Sequence, residues 1–298
     1  MSDSTATARQ PVGVITAHRQ LEGAGFAVYR PFPTTGLEMV DPFLMLDEKE
    51  PKTYAPGEAK GAPDHPHRGF ETVSYVLDGE TEHADSLGNR GIIRAGDVQW
   101  MTAGDGIVHS EMPSQRIQQE GGRTHGFQLW VNLPAHAKRT RPRYQSITAD
   151  QIPKVQGDRW RATVIAGHLL GADGPAATHT PIVYAHLRVE AGGEVTLDIP
   201  DDHQIALYVF GGSMTASGTT VVDEHQMAVF APGPGPVTVH GTGDRGAEPT
   251  EVLVMAGRPL GEPVARYGPF VMNTRDELIT AMEDYQTGRM GTIAPAGA

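Results

Sequence analysis

Short apolar runs separated by turn residues fill most of this chain. The run at 71–77 ends in Asp78-Gly79, a dipeptide typical of hairpin turns, and similar runs follow at intervals of about 8–12 residues. In chain order they cover residues 91–94, 98–102, 127–131, 163–167, 182–187 and 194–199. This spacing is typical of a sandwich or a barrel, and it predicts an all-β protein.

The second half of the chain echoes the first. Residues 204–212 repeat the strand and turn of residues 71–79. The repeat keeps the apolar frame but not the histidines that precede it, because His65 and His67 fall opposite Asp198 and Pro200. We interpret this as a duplicated β-domain whose second copy is structural.

The basic segment 138–143 separates the two sets of strands and is interpreted as a connector. The predicted domains are therefore residues 1–140, which hold the paired histidines, and residues 141–298, which lack them.

One helix, at about residues 274–287, is predicted near the C-terminus. Thr274 and Glu277 have the spacing of a capping box, and Gly288 stands where a helix C-terminus prefers glycine. Between them, apolar residues at helical spacing predict packing against a sheet rather than chemistry. They are Leu278, Ile279, Met282 and Tyr285.

Two histidine-containing motifs predict a metal site. Residues two apart on a strand share a face, so His65 and His67 project the same way, and so do His109 and Glu111. If the strands pair suitably, three imidazoles and a carboxylate converge on one point. Such nitrogen and oxygen ligands suit one divalent first-row ion, with Fe, Mn, Co, Ni, Cu and Zn all acceptable.

Composition narrows the classes of function. The chain has no cysteine, which excludes disulfides, thiolate metal sites and a cysteine nucleophile. A net charge of −12 argues against direct nucleic-acid binding. Residues 1–9 lack a signal-peptide core, and no apolar run reaches the ~18 residues of a membrane span, so we expect a cytoplasmic protein without membrane association.

Long motifs in both halves resemble the pirin family, which are bicupins of the cupin superfamily. The motifs are HPHRGFETVSYVLDG, GDVQWMTAGDGIVHSEMP, HGFQLWVNLP and FVMNTRDELITAMEDYQTGRMG, within residues 12–291. The resemblance implies two stacked cupin barrels of jelly-roll type and a mononuclear non-haem Fe(II) site in the N-terminal barrel. Carried over residue by residue, it assigns the metal to His65, His67, His109 and Glu111.

The carboxylate ligand has two candidates. The general cupin pattern nominates Glu71, four residues after His67, whereas the pirin pattern nominates Glu111. We favour Glu111 and keep Glu71 as an alternative ligand, or as a carboxylate that orients a ligating imidazole. A bulge near Arg68-Gly69 would change the count along the strand. The substrate pocket is assigned to Met101, His125 and Phe127, although core packing competes for each of them.

The resemblance also implies an activity. Pirins resemble quercetin 2,3-dioxygenases, so we expect an oxidoreductase that opens the ring of a flat aromatic flavonol such as quercetin with O₂, with Glu111 as a possible base. The alternative is a redox-sensing, iron-binding regulator that acts through protein partners. For such a partner, residues 138–143 are a contact patch or, more simply, a solvated linker.

Overall fold

The computed structural model describes residues 7–243 and 247–295, so Met1–Ala6 of the N-terminal stretch lie outside the described residues. Within these ranges the chain forms 26 β-strands, two α-helices and one 3-10 turn. The helices are α1 (Gln115–Glu120) and α2 (Arg275–Gln286), and the 3-10 turn is Ala135–Ala137. The all-β prediction is confirmed.

The metal-site motifs lie in a unit built mainly from the first half of the chain. Its larger sheet has seven antiparallel strands in the order β12 (Arg143–Ile147), β9 (Val98–Thr102), β6 (Phe70–Asp78), β11 (Gly122–Asn132), β4 (Phe43–Tyr54), β3 (Phe26–Phe32) and β2 (His18–Glu22). Its smaller sheet has the order β5 (Ala62–His67), β10 (Ile107–Pro113), β7 (Glu80–Asp85) and β8 (Arg90–Arg94). A hairpin of β25 (Ala265–Tyr267) and β26 (Phe270–Met272) completes the unit.

The second unit repeats this arrangement. Its seven-stranded sheet has the order β1 (Gly13–Thr16), β22 (Gln226–Phe230), β19 (Gln204–Gly211), β24 (Thr250–Gly257), β17 (Ile182–Val189), β14 (Trp160–Ala166) and β13 (Lys154–Gly157). Its four-stranded sheet has the order β18 (Glu194–Leu197), β23 (Val237–Gly241), β20 (Ser213–Ala216) and β21 (Thr220–Asp223). A short hairpin is formed by β15 (His168–Leu169) and β16 (Ala172–Asp173).

Strand for strand, both sheets of one unit correspond to those of the other, which confirms the duplication. Here β19 takes the place of β6, and β18 and β23 take the places of β5 and β10. In the second unit, the cross-strand pairs Val195–Val239 and Leu197–Val237 occupy the positions of the histidine strands. All four side chains are buried in an apolar core, so the second copy has hydrocarbon where the first has imidazole.

The unit boundaries differ from a single cut near residue 140. One unit comprises residues 18–33, 43–149 and 260–298, and the other comprises residues 1–17, 34–42 and 150–259. Strand pairing explains part of the difference, since β1 pairs with β22 and β12 pairs with β9. An edge strand leaves its backbone N–H and C=O groups unpaired, and these two segments supply the missing partners. The C-terminal helix therefore belongs to the metal-site unit.

The helix α2 begins and ends where the sequence predicts. Thr274 and Glu277 form both bonds of the capping box, and Gly288 follows the helix with φ +76°. Its buried face differs from the predicted stripe, because Ile279 and Tyr285 are largely exposed. Leu278 is buried and Met282 partly buried, as predicted, and together with Ala281 they pack against Val108, Phe270, Met272 and Met290.

Candidate metal centre

Three imidazoles meet at one point on the inner face of the smaller sheet. His65, His67 and His109 each present one ring nitrogen, and these atoms lie within 4.8 Å of one another. The ring centroids are 4.4 Å apart for His65 and His109, and 4.7 Å and 4.9 Å apart for the pairs that include His67. The predicted convergence of the three imidazoles is present in the structure, whereas the carboxylate of Glu111 is not part of this group.

Strand pairing creates this convergence. On β5 and β10, His65 lies opposite His109 and His67 lies opposite Ile107, so alternate residues of both strands face the same side. The register shifts between His109 and Glu111, because Glu111 pairs with Ala62. This bulge lets the strand bend while keeping the histidines together.

The turn after His67 is held by backbone geometry and by a buried arginine. Gly69 has φ +88°, and a Cβ there would overlap the carbonyl oxygen of Val271, so only glycine fits. Arg68 donates from Nε to the carbonyl oxygen of Asp105 at 2.7 Å and from Nη1 to Oδ2 of Asp284 at 2.8 Å. Asp284 lies on α2, so the C-terminal helix fixes the residue next to His67.

The ring nitrogens are arranged as metal ligands require. Nδ1 of His65 lies 2.7 Å from the carbonyl oxygen of Pro63, and Nδ1 of His67 lies 3.4 Å from that of Pro269. Donation from Nδ1–H to these carbonyls leaves Nε2 of each ring as the free acceptor. His109 is fully buried, and within the described residues neither of its ring nitrogens has a hydrogen-bond partner.

Burial also sets the protonation of the cluster. It holds the pKa of His67 and of His109 well below the ordinary histidine value, and the neighbouring imidazoles lower it further. Neutral imidazole is the form that binds metals. A buried, neutral ring without a hydrogen bond is costly unless something accepts its lone pair, so the donor set fits one first-row metal ion.

Glu111 lies two residues beyond His109, and its carboxylate is held by neighbouring polar side chains. Oε1 accepts a hydrogen bond from the Ser74 hydroxyl and lies 3.5 Å from Nε2 of Gln99. Ser74 Oγ is also 2.9 Å from the side-chain amide of Gln128. The hydroxyl has one proton, and a carboxylate oxygen is a stronger acceptor than an amide oxygen, so Ser74 donates to Glu111.

Glu71 points to the other side of the large sheet. Glu71 is four residues after His67, a spacing that would place both side chains on one face of a regular strand. The Gly69 turn separates β5 from β6, so the two residues do not lie on one regular strand. On β6, Glu71 is three residues from Ser74, so the two side chains lie on opposite faces of the strand. Ser74 is on the face that contacts Glu111. It is fully buried, accepts a 2.7 Å hydrogen bond from Thr102, and has a pKa raised by burial.

A cavity of about 590 Å³ lies beside the imidazoles, with His65, His67, Glu111 and Trp130 in its wall. This volume is in the range of small-molecule sites. Of the three predicted pocket residues, Met101 lies elsewhere, fully buried in a cluster with Ala103 and Ile107.

The other two, His125 and Phe127, border the cavity along β11. Phe127 is adjacent to Gln128, which contacts Ser74, so its side chain faces the opposite side of the strand. Nε2 of His125 lies 2.9 Å from Oε1 of Glu48. Glu48 is adjacent to Lys49 on β4, so this contact lies on the face of the strand opposite to the Lys49 side chain. The side chains that face inward from β11 are therefore those of Gln128 and Trp130.

One further histidine near the site was missed from the sequence. His83 is fully buried, its ring centroid is 5.6 Å from that of His109, and it stacks on Tyr144 at 4.7 Å. Its Nε2 lies 3.2 Å from Oδ2 of Asp85. The spacing of His83-Ala84-Asp85 on one strand is the same two-residue signal that identified the other motifs, and it could have found this pair.

The basic segment 138–143 is not one exposed patch. Lys138 is buried and donates to the carbonyl oxygens of Gly69 and Val271 at 2.9 Å and 3.0 Å, and to Asn132 Oδ1 at 2.7 Å. The exposed Arg139 forms an ion pair with Asp105 at 2.8 Å. The prediction that residues 138–143 form a contact patch for a protein partner is therefore wrong at Lys138.

Fold and site together define the class of the protein. Two β-units share one strand order, and the first holds three converging imidazoles beside a cavity, so the chain is a bicupin. Residues 25–131 match the family described as Pirin, and residues 184–291 match the family described as Pirin C-terminal cupin domain. The chain belongs to the pirin family.

Individual relatives agree with this assignment. The chain is 38% identical to Pirin-like protein 2 of Arabidopsis thaliana, over 98% of this chain and 89% of that protein. It is 40% identical to a pirin-like protein of Solanum lycopersicum, over 98% and 96% of the two chains. A crystal structure of quercetin 2,3-dioxygenase from Acinetobacter baumannii superposes with a TM-score of 0.90 at 36% identity, covering 96% of this chain and 100% of that one.

Membrane insertion through a helix finds no support in the part of the chain that the structure describes. No helix there combines the length and the apolar character needed to cross a bilayer.

Proposed function

We propose that this pirin is a metal-dependent dioxygenase that opens the ring of a flavonol-type substrate with O₂. The observation that carries the proposal is the convergence of three imidazoles on one point in the wall of a cavity of ligand size. The structural similarity to a quercetin 2,3-dioxygenase supports the substrate class.

His65, His67 and His109 would hold the ion through nitrogen, with Glu111 as the fourth ligand. A bound first-row ion supplies Lewis acidity toward an enol and redox chemistry toward O₂. We propose Fe(II), although affinity order alone would favour Cu(II). Glu111 is favoured over Glu71 because it shares the strand of His109 and contacts the inward-facing Ser74, whereas Glu71 bonds Thr102 on the opposite face.

Glu111 would also be the proton acceptor. A flavonol must lose its enol proton before it reacts, and a carboxylate placed beside the ligating imidazoles can take that proton. Ser74 donates to Glu111 Oε1, so it orients the carboxylate. The proton would move from the substrate hydroxyl to the oxygen of Glu111 that Ser74 does not occupy, when that oxygen is not bound to the ion.

The cavity wall suits a flat apolar molecule. Trp130, Met45 and Val76 line it along three neighbouring strands of the large sheet, and Phe26 and Val28 line it along a fourth. Aromatic and aliphatic side chains in these positions can sandwich a planar ring and exclude water from the reacting carbon.

The direct test is O₂ uptake by protein loaded in turn with Fe(II), Mn(II), Co(II), Ni(II) and Cu(II), on a panel of flavonols. We expect flavonol-dependent O₂ uptake with at least one metal, falling at least 100-fold in His65→Ala. The matched control is His136→Ala, because His136 is exposed and lies outside the cluster. Failure of every metal to support turnover of any flavonol would remove the proposal.

A further inference from the structure

The three cations of the cavity wall fall into two groups, and Asp64, Asp78 and Glu80 are further carboxylates of the same wall. In the first, Arg30 binds Asp47 through two hydrogen bonds of 2.6 Å and 2.5 Å and forms a 2.8 Å ion pair with Glu22. Arg266 lies close enough for the charges of Asp47, Glu22 and Arg30 to affect its pKa, and it also stacks over Trp130 at 4.9 Å. Two cations and two carboxylates make this group neutral.

Lys49 is different. It lies in the wall of the same cavity and, within the described residues, its ammonium makes no hydrogen bond. Its nearest described contact is the Phe26 ring, 5.2 Å from Nζ to the ring centroid. Burial lowers its pKa, and Glu111 is the carboxylate whose charge opposes that shift.

The surroundings of Lys49 on the sheet are apolar. Val28, Lys49, Gly126 and Val76 form one row across four adjacent strands. The other three members of the row offer no polar side chain. An ammonium in such a row is costly unless an anion faces it.

Glu111 cannot serve two purposes at once. If it binds the metal, as proposed above, the charge of the ion offsets its own, and Glu111 no longer balances Lys49. Lys49 would then face the cavity with neither a hydrogen-bond partner nor a nearby carboxylate to balance it. Because the same cavity holds the three imidazoles, a single ligand can contact both regions.

We propose that Lys49 binds an anionic oxygen on the substrate, a ring-bound carboxylate or ionised phenol, at the end of the molecule remote from the imidazoles. This inference rests on the proposed function for the position of the reacting group, and it narrows the substrate class to planar aromatics with an acidic substituent. Lys49 is then a residue of substrate specificity.

The test uses two pairs of probes that differ only in charge. The first pair is 3-hydroxyflavone with a 4′-carboxylate or a 4′-carboxamide. The second pair, 2-naphthoate and 2-naphthamide, lacks the flavonol group. Binding to the full chain loaded with Zn(II), which is redox-inert, is measured by calorimetry, so that no turnover is required.

Wild-type protein is expected to bind each carboxylate at least about tenfold more tightly than its amide, the range expected for a hydrogen bond to a charged group. Lys49→Met should abolish that preference and leave amide binding unchanged, and Lys49→Arg should restore it. The matched control is Lys52→Met, since Lys52 lies on the same strand, is exposed and stacks over Tyr54 at 4.8 Å.

The outcomes separate the two proposals. Equal affinity of wild type for acid and amide, or a preference that survives in Lys49→Met, overturns the anion site. An equal loss of affinity for the carboxylate and the amide in Lys49→Met also overturns it, because Lys49 would then have a structural role. If neither flavone binds while 2-naphthoate retains its Lys49-dependent preference, the anion site stands and the flavonol function fails.

Discussion

At the scale of single residues, the site depends on histidine ring nitrogens and a carboxylate whose hydrogen-bonding capacity is only partly used by the protein. His65 and His67 direct Nδ1 at backbone carbonyls, and His109 is buried without a hydrogen bond among the described residues. Glu111 is oriented by Ser74. Ser74, which orients Glu111, is thus distinct from the three histidines that would hold the ion through nitrogen.

Ser74 offers a test of that separation. Removing its hydroxyl in Ser74→Ala leaves the three imidazoles in place but frees the Glu111 carboxylate. We expect kcat to fall about tenfold or more, since a hydrogen bond to a charged group is lost, with metal content unchanged by elemental analysis. Thr53→Val, on the exposed part of β4, is the control. An unchanged kcat, or loss of the metal, would contradict the assigned role.

Lys138 gives a prediction about pH. Burial lowers its pKa to about 8, whereas an unfolded chain holds that proton to about pH 10.4. Between these values the unfolded state binds more protons than the folded state, so the contribution of Lys138 to stability rises with pH. Relative to Lys138→Met, wild type should gain up to about 3 kcal/mol between about pH 8 and pH 10.

The measurement is the difference in Tm between the two proteins across that pH range. Lys154→Met, at an exposed position of the other unit, is the matched control. A difference for Lys138→Met that is independent of pH would show that Lys138 does not titrate in this window.

At the scale of elements, sequence patterns within one segment were sufficient to predict the ends of helices and strands and the face on which a side chain lies. The capping box and the following glycine set both ends of α2, and the Asp78-Gly79 turn ends β6. The two-residue spacing of His65 and His67 placed both side chains on one face, because β5 is regular there. Each of these properties depends on residues close together in the chain.

Properties set by distant segments could not be predicted in this way. The break at Gly69 moves Glu71 to the other face, because the carbonyl of Val271 packs against the turn. Lys138 is buried because three acceptors from separate segments surround its ammonium. Asp284, a polar residue beside the predicted helix stripe, is buried because Arg68 meets it across the unit.

The pair of Arg68 and Asp284 links α2 to the turn after His67. Their side chains are 4% and 7% exposed, so removing the Asp284 charge leaves the buried Arg68 with only the more distant carboxylate of Asp105, at 3.8 Å. We expect Asp284→Asn to lower stability by about 3 kcal/mol and to weaken metal binding through displacement of His67. Thermal unfolding and metal titration check this.

The neighbouring Glu283 is exposed, so Glu283→Gln should match wild type in both measurements. Metal affinity that stays at the wild-type value in Asp284→Asn would show that the helix does not position the ligand strand.

At the scale of the whole molecule, one strand order appears twice with different contents. The first unit has imidazoles at paired positions of its small sheet, and the second has valine and leucine there. The duplication therefore provides two cores of similar design and one set of metal ligands. The chain should bind one ion, not two.

Titration of the metal-free full chain with Co(II), whose visible absorption reports its ligands, tests the central claim most directly. We predict one Co(II) per chain with nitrogen-ligand bands, and an affinity that falls at least 100-fold in each of His65→Ala, His67→Ala and His109→Ala. His136→Ala should leave the titration unchanged. Two ions per chain, or binding that survives removal of all three histidines, would contradict the account.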